Sequence, residues 1–173
     1  MQLDYKPPGP IAKAFMKDEA FVRGIRGPVG SGKSVTCCME IMRRAVNQKP
    51  NEAGVRRSRW AVIRNTNPQL KTTTIKTWRD WFSDEIGKFV WSPPYTHLVN
   101  FSLGDKTSVE LEVIFLALDK QEDVKKLLSL ELTGVWINEA REIPKSIVDA
   151  CTCLLYTSPS PRDLSTSRMP SSA

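Results

Sequence analysis

Short apolar runs and longer amphipathic ones take turns along most of this chain, the pattern of strands alternating with helices. Residues 20–26 read as a short strand. Residues 34–47 read as a helix, with Val35, Cys38, Met39, Met42 and Val46 on about one face. A polar loop over 48–58 leads to a strand at 59–64, buried apart from its ends. Pro68 stands where a helix can begin, and a helix is predicted over 68–83. Leu70, Ile75, Trp78, Trp81 and Phe82 are its apolar material, while Lys71, Lys76 and Arg79 mark its polar side. Residues 97–101 read as a strand with His97 at the surface or a strand edge. Gly104-Asp105-Lys106-Thr107 is a hairpin-type connection into a strand over 109–118. An amphipathic helix over 119–130 follows, buried through Val124, Leu127 and Leu128, and then a short apolar strand over 132–137. Ahead of all this, Pro7-Pro8-Gly9-Pro10 forbids regular structure before a short helix at 11–16. No internal repeat is visible.

Composition narrows the class. With 173 residues, 40% of them hydrophobic, the chain is long enough for one domain with a core. The formal net charge of +6 fits a polyanionic partner, although an ordinary basic domain carries as much. The absence of a long apolar run or a signal-peptide pattern argues against membrane and secreted classes. Cys37 and Cys38 sit inside the predicted helix as small buried hydrophobes. Cys151 and Cys153 have no second pair to complete a zinc site.

From residue 153 the composition turns Ser/Pro-rich, as in a disordered tail. Residues 153–163 resemble the translation of a sequencing-library transposase adapter, and 167–173 resemble the flow-cell adapter that follows it. Leu164-Ser165-Thr166 would then cover a sample index. On that reading the natural sequence runs to about Thr152, the open reading frame is truncated there, and 153–173 is an artefactual tail excluded from fold reasoning.

The chemistry centres on Gly27-Pro28-Val29-Gly30-Ser31-Gly32-Lys33-Ser34, which is G-x-x-x-x-G-K-S between a predicted strand and a predicted helix. Glycines let consecutive N–H groups turn inward around a polyphosphate. Lys33 is spaced to reach the β/γ-phosphates of ATP, and the Ser34 hydroxyl is offered to Mg²⁺. The helix N-terminus adds its own attraction for anions. About a hundred residues on, the strand over 132–137 ends in Asn138-Glu139. In phosphate-loop ATPases such a strand ends in Asp-Glu, the first holding Mg²⁺ through water and the second polarising the attacking water. Asn138 keeps an oxygen for a metal-bound water without the charge, and Glu139 is placed as the catalytic carboxylate. These motifs predict an α/β P-loop NTPase fold over residues 1–152, with a largely parallel sheet flanked by helices, incomplete at the C-terminus. The acidic strand would lie beside the loop strand.

With Arg64-Asn65-Thr66-Asn67-Pro68-Gln69-Leu70, Thr73-Thr74-Ile75-Lys76-Thr77-Trp78 and the run from Leu130 to Pro144 around Asn138-Glu139, the chain resembles the N-terminal ATPase domain of the large terminase subunit of tailed bacteriophages. The resemblance covers nearly all of residues 5–152, and the Asn-Glu strand end is similar to a variant in that family. It implies ATP around Gly27, Gly30, Gly32, Lys33 and Ser34, Mg²⁺ near Asn138, and Glu139 as catalytic carboxylate. Arg26 and Arg64 are further candidates, for phosphate or, in the case of Arg26, a neighbouring subunit. It also implies double-stranded DNA, the portal protein, the small terminase subunit and a homo-oligomeric ring as partners, in the cytoplasm of an infected bacterium. The family's C-terminal nuclease domain is missing from the chain. A helicase- or recombinase-like DNA-dependent ATPase is the alternative of the same broad class, and a catalytically incompetent nucleotide-binding fragment is the alternative of another.

Overall fold

The computed structural model describes residues 4–157. Its strands are β1 (Val55–Arg64), β2 (Gly87–Val90), β3 (Tyr95–Ser102), β4 (Ser108–Ala117) and β5 (Gly134–Ile137). They form one open sheet in the order β2-β3-β4-β1-β5. β1 lies parallel to both β4 and β5, whereas β2, β3 and β4 pair antiparallel. The sheet is therefore mixed, and the expectation of a largely parallel P-loop NTPase sheet is wrong. The cause is local. Residues 91–94 and 103–107 are links too short for anything but chain reversal, so β2, β3 and β4 must run up and down. The helical stretch after β1 delivers β2, two chain reversals then leave β4 running parallel to β1, and a second helical crossover, between β4 and β5, makes β5 parallel as well.

The expected loop strand fails as well. Residues 20–26 join no sheet, and Phe21 and Val22 are exposed. Arg23 explains where this segment goes instead. Its guanidinium donates to the carbonyls of Phe15 (2.9 Å) and Asp18 (3.0 Å), lies over the Phe15 ring and pairs with Glu40 at 2.9 Å. The segment is thereby tied to helix α1 (Gly9–Lys17) and helix α2 (Lys33–Asn47) rather than to a strand edge. Glu40, 3% exposed, also binds Arg43 and Arg44. Burial alone pushes its carboxyl up, but the three guanidinium groups outweigh that and hold it below its ordinary value. The apolar strand ending at Asn138 is β5, and it lies beside β1 at one edge of the sheet.

Each face of the sheet carries its own core. On β1, Trp60 and Val62 face one way and Ala61 and Ile63 the other, the period of two that a doubly covered strand requires. The first face is covered by α2, through Cys38, Met39, Met42 and Ala45, and by the helical stretch 67–81, through Leu70, Ile75 and Trp78. The second is covered by α5 (Val124–Leu128) and α6 (Lys145–Thr157), through Leu127, Ile147 and Cys151. Each large side chain so buried stabilises the fold by about 1.5–3 kcal/mol. Burial also pushes the Cys37 thiol up to about 12, as befits packing rather than reactivity. The stretch 67–81 is not a uniform helix. It runs as α3 (Asn67–Gln69), a π-helical turn over Leu70–Ile75 and α4 (Lys76–Trp81).

His97 is another correction. It is fully buried in β3, not at a surface or strand edge. Trp78 Nε1 donates to its Nδ1 at 2.9 Å, and its Nε2 lies 3.1 Å from the Gly87 carbonyl. At the other end of the chain, α6 runs to Thr157, with Leu154 and Leu155 against the second core. Of the tail expected over 153–173, residues 153–157 continue α6 and residues 158–173 lie outside the described residues.

Candidate functional site

The loop over 27–34 is held by bonds among its own residues, side chain to backbone for the most part. Gly30 (φ 78°) and Gly32 (φ 76°) are both left-handed, and Gly32 is the N-cap of α2. A side chain on Gly32 would meet the Pro8 ring, so the proline-rich approach lies directly on the end of the loop. Lys33 Nζ folds back over the loop, donating to the carbonyls of Gly27 (2.8 Å) and Pro28 (2.6 Å), with Ser31 Oγ 3.3 Å away. Ser31 Oγ donates to the Pro28 carbonyl, and Val29 stands fully exposed at the tip. Behind the loop, Thr36 Oγ1 donates to the Gly32 carbonyl and meets the Tyr5 hydroxyl at 2.9 Å. Arg26 is exposed and makes no hydrogen bond or ion pair among the described residues.

The second half of the site forms where β1 and β5 end. The Asn138 backbone N–H donates to the Ile63 carbonyl at 2.9 Å, which extends the pairing one residue past β5. Its side-chain Nδ2 donates to Thr74 Oγ1 at 2.9 Å, on the π-helical turn. Arg64, the last residue of β1, is 8% exposed and poorly bonded. Its Nη1 reaches the Asn138 carbonyl at 3.4 Å, its Nη2 approaches Glu142 at 3.7 Å, and its Nε has no partner. Glu139 has left-handed backbone (φ 56°, ψ 57°), a conformation costing a residue with a Cβ about 1–2 kcal/mol. Its carboxylate stands 3.5 Å from Arg141 Nε.

The structure thus brings Arg64, Asn138 and Glu139 together, with Thr74 and Glu142 added. No hydrogen bond or ion pair joins residues 27–34 to residues 138–139 among the described residues. The concavities lie elsewhere too. A groove of about 1870 Å³ runs past Arg23, Glu40, Trp60 and Val135–Ile137, and neither the loop nor residues 138–139 line it. A smaller one of about 430 Å³ opens beside Arg64, over Asn65, Thr66, Ala117 and Asp123. In the larger groove Arg23, Arg43 and Arg44 are already paired with Glu40, and Arg59 with Glu112.

As to metal, no cluster of three His, Cys, Asp or Glu side chains is present among the described residues. Such a cluster would be needed for a protein-built cage, not for Mg²⁺ carried largely by water and phosphate. The Ser34 hydroxyl and Asn138 Oδ1 enter no hydrogen bond among the described residues, so both oxygens fit that lighter role. Thr74, Glu142 and the Pro8 and Tyr5 contacts escaped sequence reasoning. For Thr74 a signal existed, since a threonine stands between Leu70 and Trp78 on the apolar face of the predicted helix. No family model, curated protein or solved structure matches the chain. No helix among the described residues is long and apolar enough to cross a membrane.

Proposed function

We propose that the chain binds ATP with Mg²⁺ at residues 27–34 and hydrolyses it, as the motor portion of a viral DNA-packaging terminase large subunit. The observation that carries this reading is the loop itself: two left-handed glycines lead into α2, and the Lys33 ammonium folds back onto the Gly27 and Pro28 carbonyls. Polyphosphate oxygens can take over the donors that Lys33 now gives to loop carbonyls. Ser34 and, through water, Asn138 would hold Mg²⁺, which when bound would supply charge stabilisation to the transferred phosphoryl group. Glu139 orients the attacking water, and its strained backbone supports such a role. Arg64, buried with an unpartnered Nε, suits a phosphate oxygen. In this reading the partners are double-stranded DNA, the portal protein, the small terminase subunit and further copies in a ring, and the place of work is the cytoplasm of an infected bacterium.

A second reading, nucleotide binding without turnover, is favoured by the Glu139–Arg141 pairing and by the absence of any bond from residues 138–139 to the loop. Turnover of radiolabelled ATP by the chain, by Lys33→Ala and by Glu139→Gln separates the two. Motor chemistry predicts measurable turnover that falls about 100-fold or more in each variant, with ATP binding kept in Glu139→Gln. Binding without Lys33-dependent turnover selects the second reading, and no binding at all rejects both.

A further inference from the structure

Four threonines lie in the helical stretch 67–81, and one behaves differently. The hydroxyls of Thr72, Thr73 and Thr77 each donate to the carbonyl four residues back, at 2.8, 2.6 and 2.8 Å. That is the usual local bond of a helical threonine. Thr74 makes no such bond. It is fully buried, and its Oγ1 accepts from Asn138 Nδ2 at 2.9 Å, across 64 residues of sequence. Thr74 also lies within the π-helical turn Leu70–Ile75, a rare geometry found frequently at functional sites.

We infer that Thr74 is a positioning residue, whose hydroxyl, carried to β5 by the π-helical turn, fixes the Asn138 amide so that Oδ1 is left for a metal-bound water. The inference rests on the ATP·Mg²⁺ reading above. Asparagine has one amide oxygen and one amide nitrogen, and a free side chain can turn either outward. A hydroxyl can serve either end, but Thr73 gives its own proton to the Gln69 carbonyl, so Thr73 Oγ1, 3.5 Å from Thr74 Oγ1, is the acceptor for the Thr74 proton. The Thr74 oxygen is then left to accept from Nδ2, and Oδ1 remains available. An aspartate would not need this, because its two oxygens are equivalent acceptors. The Thr74 bond therefore compensates for the asparagine at this strand end. The Arg64 bond to the Asn138 carbonyl and the Ile63 carbonyl's bond to its N–H hold the backbone of the same residue. Only Thr74 holds its side chain.

Two measurements test this. In ¹⁵N-labelled protein, the Asn138 side-chain amide pair, assigned by its loss in Asn138→Asp, should exchange slowly with solvent. Thr74→Val should raise that exchange rate about tenfold or more, and Thr74→Ser should restore it. Separately, calorimetric binding of the non-hydrolysable β,γ-imido analogue of ATP, with Mg²⁺ and with EDTA, gives the metal-dependent gain in affinity. Thr74→Val should shrink that gain about fivefold while leaving metal-free affinity within twofold, and Thr74→Ser should keep it. Unchanged amide exchange in Thr74→Val overturns the positioning role. Equal losses of affinity with and without Mg²⁺ also overturn it, since they would mean general loosening of the core. If the unsubstituted chain binds no analogue at all, the nucleotide reading and the role of Oδ1 fall together. The exchange measurement still decides whether Thr74 orients Asn138.

Discussion

The loop over 27–34 and the junction at Arg64, Asn138 and Thr74 are built in opposite ways. The hydrogen bonds of Lys33 within the loop reach partners no more than six residues away. Those at the junction join residues 64 and 74 apart in sequence. The loop is largely exposed and its shape follows from local residue types, above all from two left-handed glycines. The junction is half-buried or buried, and it exists only because β5 reaches β1 and the stretch 67–81 folds across the same face. A local device survives changes in the core around it, whereas a device assembled from three distant segments depends on that core.

The largest expected effect comes from disturbing the contact that brings β5 to β1. Gly134 stands opposite Trp60 in the β1–β5 register, and a Cβ there would overlap the Trp60 ring. Gly134→Ala should lose about 1–3 kcal/mol of stability by urea denaturation, the usual cost of overpacking a filled core. If the hydrolytic reading proposed above holds, it should also lower turnover in the fraction that remains folded, because Asn138 and Glu139 directly follow β5. A variant as stable as the parent would break the comparison, since the junction would then not depend on close strand approach.

A smaller effect is expected at the loop. Gly30 has open space where a Cβ would go, so a substitution there meets only the left-handed backbone. Gly30→Ala should cost about 1 kcal/mol, and Gly30→Asn less, because asparagine tolerates that conformation better. Loss of analogue binding should track the same order. Equal losses for alanine and asparagine would show that the loop depends on contacts rather than on local conformation, and the contrast with the junction would disappear.

This contrast also explains what could be read before the structure. The glycine spacing, Lys33 and the helix over 34–47 are local facts, and α2 begins one residue before the expected start. β1, the helical stretch 67–81, β4 and β5 were legible from apolar periodicity for the same reason. Pairing was not. Residues 20–26 have the composition of a strand, but Arg23 finds Glu40, Phe15 and Asp18, partners that no local pattern reveals. The strand β2, of only four residues in the described sheet, is too short to show a period. His97 looked like a surface residue because its burial depends on Trp78 and the Gly87 carbonyl, which lie on two other elements. Arg64 and Asn138 were legible as residues at strand ends, but their meeting with Thr74 was not.

The smallest effect is a pH dependence in the wall behind the junction. Trp78, one helical turn beyond Thr74, donates to His97 Nδ1, so the histidine must stay neutral with its proton on Nε2, facing the Gly87 carbonyl. Protonating Nδ1 would set two donors head to head. Burial lowers the His97 pKa first of all. The Gly87 carbonyl raises it, the Arg79 guanidinium lowers it further, and the Asp84 carboxylate partly offsets Arg79. A base with a lowered folded pKa binds more protons when unfolded. The His97 contribution is therefore fully present above about pH 6.5 and is lost as pH falls from there through the lower folded value. His97 is the chain's one histidine, and the depressed carboxylates of Glu40, Asp84, Asp105 and Asp123 act at lower pH. The unfolding free energy from urea titrations between pH 7.5 and 5.5 should thus fall with a slope no steeper than about 1.4 kcal/mol per pH unit. His97→Asn keeps an acceptor for Trp78 but cannot titrate, and it should flatten that slope. If the slope persists in the variant, Trp78 and His97 are not the titrating pair, and the region behind the junction is less tightly specified than its geometry implies.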